Sequence, residues 1–181
     1  MSRLRELIDL LEAYAPPPEE AGARRDMLAL TTAVDDPFSR HLFDPGHFTA
    51  SGFVRSMDRR SLLMVHHKRL DRWLQPGGHI DPTGEHVVEA SMREIEEETG
   101  IGALELVGGG IFDLDVHPVP AKNEEPPHLH FDVRFLFNAA ADVIEADDEV
   151  HDAAWVPLDT VHEVTTDRSV LRAVEKLRAS R

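Results

Sequence analysis

One stretch constrains this chain more than any other: GGHIDPTGEHVVEASMREIEEETGI, residues 77–101. It opens on a glycine turn, passes a second turn at Asp81-Pro82-Thr83-Gly84, and continues as a helix that ends near Gly100. At about 100° per residue, Val88, Ser91, Met92, Ile95 and Thr99 fall on one stripe, the face expected to be buried. Glu94, Glu97 and Glu98 share an arc beside it, while Glu89 and Glu96 point elsewhere. Glu94 and Glu98 lie one turn apart, where like charges repel. They also sit near the helix C-terminus, where the helix dipole disfavours anions. A sequence selected for helix stability alone would not choose this arrangement. A bound hard cation such as Mg²⁺ or Mn²⁺ would reverse the sign of the problem.

The acids of the 181-residue chain are concentrated. The formal net charge is −15. Residues 85–98 hold six acids against one arginine, and residues 142–152 hold six acids with no lysine or arginine. Such a field repels nucleic-acid backbone and anionic membrane, so a DNA- or RNA-coating role is not expected. There is no cysteine, which removes disulfides, cysteine-based zinc sites and thiol catalysis. No segment is apolar for long enough to span a membrane. Glu6, Asp9 and Glu12 interrupt any signal-peptide pattern, and the expected location is the cytoplasm.

Residues 3–14 read as an amphipathic helix with Leu4, Leu7, Ile8 and Leu11 at helical spacing, stopped by Pro16, Pro17 and Pro18. A second helix is expected from Glu19 to about Thr32. Residues 1–46 are thus expected to form a helical extension packed on a main domain of residues 47–181. Strands are expected at Phe48–Met57, Ser61–His67, Leu104–Asp115 (bent at Gly108-Gly109-Gly110), Leu129–Phe137 and Ala153–Val156, with a loop at 118–127 and a closing helix at Asp167–Ala179. The class is α/β, a layered domain with mixed sheet.

With these elements in place, the 77–101 segment resembles the Nudix box, G-x5-E-x7-R-E-U-x-E-E-x-G-U, where U is a bulky aliphatic. Glu85, seven further residues, then Arg93-Glu94-Ile95-Glu96-Glu97-Glu98-Thr99-Gly100-Ile101 match position by position. Six fixed positions recur by chance about once in 10⁷ to 10⁸ starting points. The departure lies upstream, where six residues rather than five separate Gly78 from Glu85. The resemblance implies a Nudix-like α/β/α sandwich that hydrolyses a nucleoside diphosphate linked to another moiety. It implies metal ligation by Glu94, Glu97, Glu98 and the carbonyl of Gly78, with Mg²⁺ or Mn²⁺ as the ion. Arg93 is expected to orient the glutamates through Glu97 or Glu85, and Glu85 to be structural. Glu149, in the acidic loop before Trp155, is the candidate general base, and Glu98 is expected to be catalytic. The expected partner is a small nucleotide, and the chain is expected to act as a monomer or homodimer. The competing reading is a nucleotide-sensing module of the same fold without catalysis. The isomerase branch of the superfamily relies on a cysteine, which this chain lacks.

Along 128–137, Leu129, Phe131, Val133, Phe135 and Phe137 alternate with His128, His130, Asp132 and Arg134. The polar face is expected to open toward substrate, with His128, His130 and Arg134 as contacts and Trp73 as a possible stacking partner for a base. An HxH pair can bind zinc, but no third ligand at a fixed spacing accompanies this one.

Overall fold

Ser2 caps the first helix by accepting the Arg5 N–H at 3.3 Å. That helix, α1 (Arg3–Ala13), is followed by a 3₁₀ turn at Pro18–Glu20 and by α2 (Ala21–Ala33). The computed structural model describes residues 2–68, 70–122, 124–145 and 150–179. Eight strands follow the two helices: β1 (Gly46–Arg55), β2 (Ser61–His67), β3 (Arg72–Leu74), β4 (Gly77–His79), β5 (Leu104–Leu106), β6 (Asp113–Val119), β7 (His128–Ala139) and β8 (Val150–Pro157). Helix α3 (Val87–Thr99) lies between β4 and β5, and α4 (Val161–Val164) and α5 (Arg168–Ala179) close the chain. The strands form one sheet of order β3-β2-β1-β7-β5, with β4 on β1, β6 on β7 and β8 on β2. This is a mixed α/β fold. No helix among the described residues is long and apolar enough to cross a membrane.

The chain forms two compact units. The first comprises Met1–Ser51, Gly78–Ser91 and Gly108–Phe135. Leu7 and Leu11 of α1 and Met27 and Leu30 of α2 are buried, each worth about 1.5–3 kcal/mol in removed apolar surface. The rings of Phe38, Phe48 and Phe131 follow one another at 5.8 and 5.9 Å. A polar link ties the helices to the strands. Glu20, fully buried, accepts the Leu114 N–H at 3.1 Å, and the Tyr14 hydroxyl lies 2.5 Å from the same carboxylate. At the start of β1, a side chain on Gly46 would place its Cβ 1.9 Å from the Leu129 carbonyl oxygen. Only glycine permits that approach.

The second unit comprises Gly52–Gly77, Met92–Val107 and Leu136–Arg181. Here β2 is central, antiparallel to both β3 and β8. Asp167 caps α5 by accepting the N–H groups of Ser169 and Val170 at 2.9 and 3.3 Å. Val170, Ala173, Val174 and Leu177 form the buried stripe of α5, as its spacing requires. Gly100 ends α3 at φ +73, and its N–H returns to the Glu96 carbonyl at 2.8 Å. This is the left-handed glycine stop of a helix.

Three expectations are modified. The strand expected over Leu104–Asp115 is present as β5 and β6, both antiparallel to β7, with the glycines between them. Strand β6 also runs to Val119, into the expected loop, because its residues stay in register with β7 as far as Val119 opposite His128. The buried face of α3 is carried by Val87, Ala90, Ser91, Ile95, Glu98 and Thr99, while Val88 and Met92 are only half-buried. The stripe is therefore rotated from the expected one and includes a carboxylate.

Candidate active site

The box carboxylates stand on the last two turns of α3. Arg93 Nη1 donates to Glu94 Oε1 at 2.8 Å and to Glu97 Oε2 at 2.7 Å. One guanidinium nitrogen therefore holds two carboxylates that would otherwise repel. Glu97 is 53% exposed and Glu94 14%, so the pair reaches from the helix flank toward solvent. Glu98 is buried and accepts the Gly77 N–H at 3.0 Å, which ties the glycine turn to the helix. The expected Arg93–Glu97 contact is present, and Glu94 is a second partner that the four-residue spacing does not suggest. Glu89 and Glu96 are exposed, away from this group. Glu85 accepts the Asp81 N–H at 2.8 Å and so closes the turn that carries the extra residue.

Three carboxylates without nitrogen or sulfur donors suit a hard divalent cation. Glu94 and Glu97 are held against Arg93 rather than against each other. Among the described residues, the group whose ligand atoms do converge is different: His47, His79 and His130.

The remaining expected residues are placed as follows. Arg134 is not open to a phosphate. Its side chain is 3% exposed and binds Asp132 at 2.7 Å, Asp113 at 3.3 Å and Asp115 at 3.3 Å. Burial alone would depress its pKa, but the three aspartates outweigh burial and raise it. Thr49 and Ser51 donate to Asp132 at 3.1 and 2.8 Å. The polar face of β7 is thus partnered inside the protein. Strand pairing sets Asp113 opposite Arg134 and Asp115 opposite Asp132, and no local pattern reveals that register. His128 is buried, with Nδ1 2.8 Å from the Pro126 carbonyl. His130 is half-buried among histidines. Burial and the neighbouring imidazoles push its pKa down to about 2, so it is neutral. Trp73 is half-buried and stacks on His66 at 5.3 Å. Glu149 lies outside the described residues. A separate apolar cavity of about 300 Å³, lined by Asp26, Ala29, Leu30, Ala33, Pro45, Val116, Leu129 and Phe131, contains none of the expected site residues.

The pattern of the NUDIX domain matches residues 45–174. The chain belongs to the Nudix family. Among curated Nudix relatives, a putative 8-oxo-dGTP diphosphatase of Bacillus subtilis is 34% identical over 85 residues, 46% of this chain and 52% of that protein. An asymmetrical bis(5'-nucleosyl)-tetraphosphatase of Rattus norvegicus is 37% identical over 70 residues, 39% of this chain and 42% of that protein. The chain thus spans about half the length of the curated Nudix relatives it matches. The crystal structure of a NUDIX-family hydrolase from Clostridium perfringens superposes with a TM-score of 0.55 at 20% identity, covering 79% of this chain and 99% of that one. That similarity concerns the Nudix fold.

Proposed function

We propose that this Nudix protein is a divalent-metal-dependent hydrolase that cleaves the pyrophosphate linkage of a small nucleoside diphosphate derivative. The observation that carries the reading is the retention of Arg93 and all three box glutamates, with Arg93 bridging Glu94 and Glu97 and Glu98 anchored to Gly77. The names of the Bacillus and rat relatives point to nucleotides with two or more linked phosphates.

Mg²⁺ or Mn²⁺, when bound, would neutralise charge developing on the pyrophosphate oxygens and lower the pKa of the attacking water. Glu94, Glu97 and Glu98 would hold it, with a carbonyl of the Gly77-Gly78 turn beside them. Arg93 keeps Glu94 and Glu97 on one flank of α3, so their ordering does not wait for the ligand. The Gly77 N–H fixes one oxygen of Glu98, which orients the other. Glu149 is the proposed general base, to be tested by Glu149→Gln. Trp73, backed by His66, is the proposed stacking surface for a nucleobase. His128 and His130 are buried or half-buried and neutral or hydrogen-bonded, and Arg134 is engaged by aspartates. We therefore place substrate selection with Trp73 rather than with the β7 polar face. The reaction is assigned to the cytoplasm, where nucleotides abound.

The test is a panel of ADP-ribose, nucleotide sugars, dinucleoside polyphosphates and oxidised nucleoside triphosphates incubated with Mg²⁺ and resolved by chromatography. Products cut at the pyrophosphate are expected from at least one. Glu94→Gln and Glu98→Gln should each reduce turnover by orders of magnitude while the fold persists. Activity retained with full Mg²⁺ dependence in either variant overturns the assignment.

A further inference from the structure

Three strands bring three histidines to one point. His47 is the second residue of β1, His79 the last of β4 and His130 the third of β7. All three belong to the first compact unit, and only His79 falls within the 77–101 segment, at a position its pattern leaves open. Their ligand nitrogens lie within 4.8 Å of one another. The rings of His47 and His130 are 4.9 Å apart, those of His47 and His79 5.2 Å, and those of His79 and His130 5.4 Å.

Two of the three rings hold a buried ring nitrogen open to a metal. His47 Nδ1 is 3.1 Å from the Leu42 carbonyl. A carbonyl only accepts, so Nδ1 carries the proton and Nε2 carries the lone pair. That Nε2 is buried and has no hydrogen-bond partner, and the same holds for Nε2 of His130. Leaving such an atom unsatisfied is costly, and here two of them belong to one cluster. Burial holds both His47 and His130 below the ordinary imidazole pKa, which keeps them in the neutral form that binds metals. The outward bond from His47 to a backbone carbonyl is the arrangement that orients metal-ligating histidines.

We propose that His47, His79 and His130 form a second metal site, taking one borderline first-row divalent ion such as Zn²⁺. Three imidazole ligands and no carboxylate discriminate against Mg²⁺, which prefers oxygen. Three protein nitrogens leave a fourth position for water or another ligand. At Zn–N distances of about 2.0–2.1 Å, tetrahedral ligands lie about 3.4 Å apart, so small ring rotations suffice to close the site. His128 stands beside it, its ring 5.1 Å from that of His47.

The experiment uses the untagged full chain with Mg²⁺ in excess. Co²⁺ is titrated and followed by its visible absorption, and Zn²⁺ affinity is then read by competition with a chromogenic chelator. One ion per chain is expected, with the intense bands of a four-coordinate nitrogen site. Binding should persist in Glu94→Gln/Glu98→Gln and weaken by at least about 100-fold in His79→Ala. His79 is half-buried whereas His47 is buried, so its replacement disturbs packing less than that of His47. Long-range ¹H–¹⁵N spectra of the wild-type imidazoles, with and without Zn²⁺, supply a readout independent of any variant. The ring nitrogens of His47, His79 and His130 should shift together. Absence of Zn²⁺ binding in the micromolar range overturns the proposal, as does unchanged affinity in His79→Ala, or shifts confined to other histidines.

Discussion

Replacing Arg134 with methionine tests whether this residue serves the interior or the substrate. The guanidinium meets three carboxylates at 2.7, 3.3 and 3.3 Å, with 3% of the side chain exposed. Without it, Asp132 keeps the hydroxyls of Thr49 and Ser51, and Asp115 keeps His117 at 2.9 Å. Asp113 has no exposed side-chain surface and loses its cation. Removing one partner from a buried ion cluster costs about 3–5 kcal/mol. Folding stability is typically about 5–15 kcal/mol in total, so the loss should be plain in a urea unfolding curve at neutral pH. At this chain length the melting temperature should fall by about 6–20 °C. Adding Asp113→Asn to Arg134→Met should recover part of the loss, giving a coupling of about 1–3 kcal/mol in a double-mutant cycle. KM for the best substrate should change little at temperatures where the variant is folded. A destabilisation below about 1 kcal/mol together with a several-fold rise in KM would refute the reasoning and return Arg134 to the phosphate role suggested by strand alternation.

Glu89→Gln and Glu96→Gln, both on exposed positions of α3, should leave turnover within about twofold in the assay that shows Glu98→Gln to be inactive; an effect of Glu96→Gln equal to that of Glu97→Gln would contradict the helix phase. Stability should decline as pH falls below about 6.5, because His47 and His130 are held below their unfolded pKa and the unfolded chain then binds more protons. His130→Gln should flatten that dependence by up to about 1.4 kcal/mol per pH unit, read from urea midpoints between pH 7 and pH 5. Gly100→Ala should destabilise by about 1 kcal/mol or more, since φ is +73 and the added Cβ would sit 2.9 Å from the Glu145 Cβ; an unchanged urea midpoint would show that the α3 terminus relaxes freely.

The regular elements were legible where periodicity is carried by many residues. Ser61–His67 matches β2 at both ends, and the stripe of α5 follows Val170, Val174 and Leu177. Strands β3 and β4 have three residues each, too few for any period to register. The box glutamates were legible because their spacing is local to one helix. The surroundings of Arg134 were not, because Asp113 and Asp115 reach it through the register of β6 on β7. The histidine group was half legible. His128 and His130 announce themselves as a pair, but His47 and His79 lie 83 and 51 residues before His130 and join it only through strand pairing, a relation that sequence spacing does not carry.

The buried carboxylate of Glu20 also bears on where this domain may be cut. The family pattern begins at residue 45, yet the amide of Leu114, deep in the matched region, is answered by an oxygen from residue 20. A chain trimmed to the matched residues would strand that amide, at about 1–3 kcal/mol, and would remove the buried Leu7, Leu11, Met27 and Leu30. The residues that carry the family's pattern thus leave out a carboxylate that one of their own amides uses. A fragment made to follow the pattern would lose the residue that answers one of its own strands.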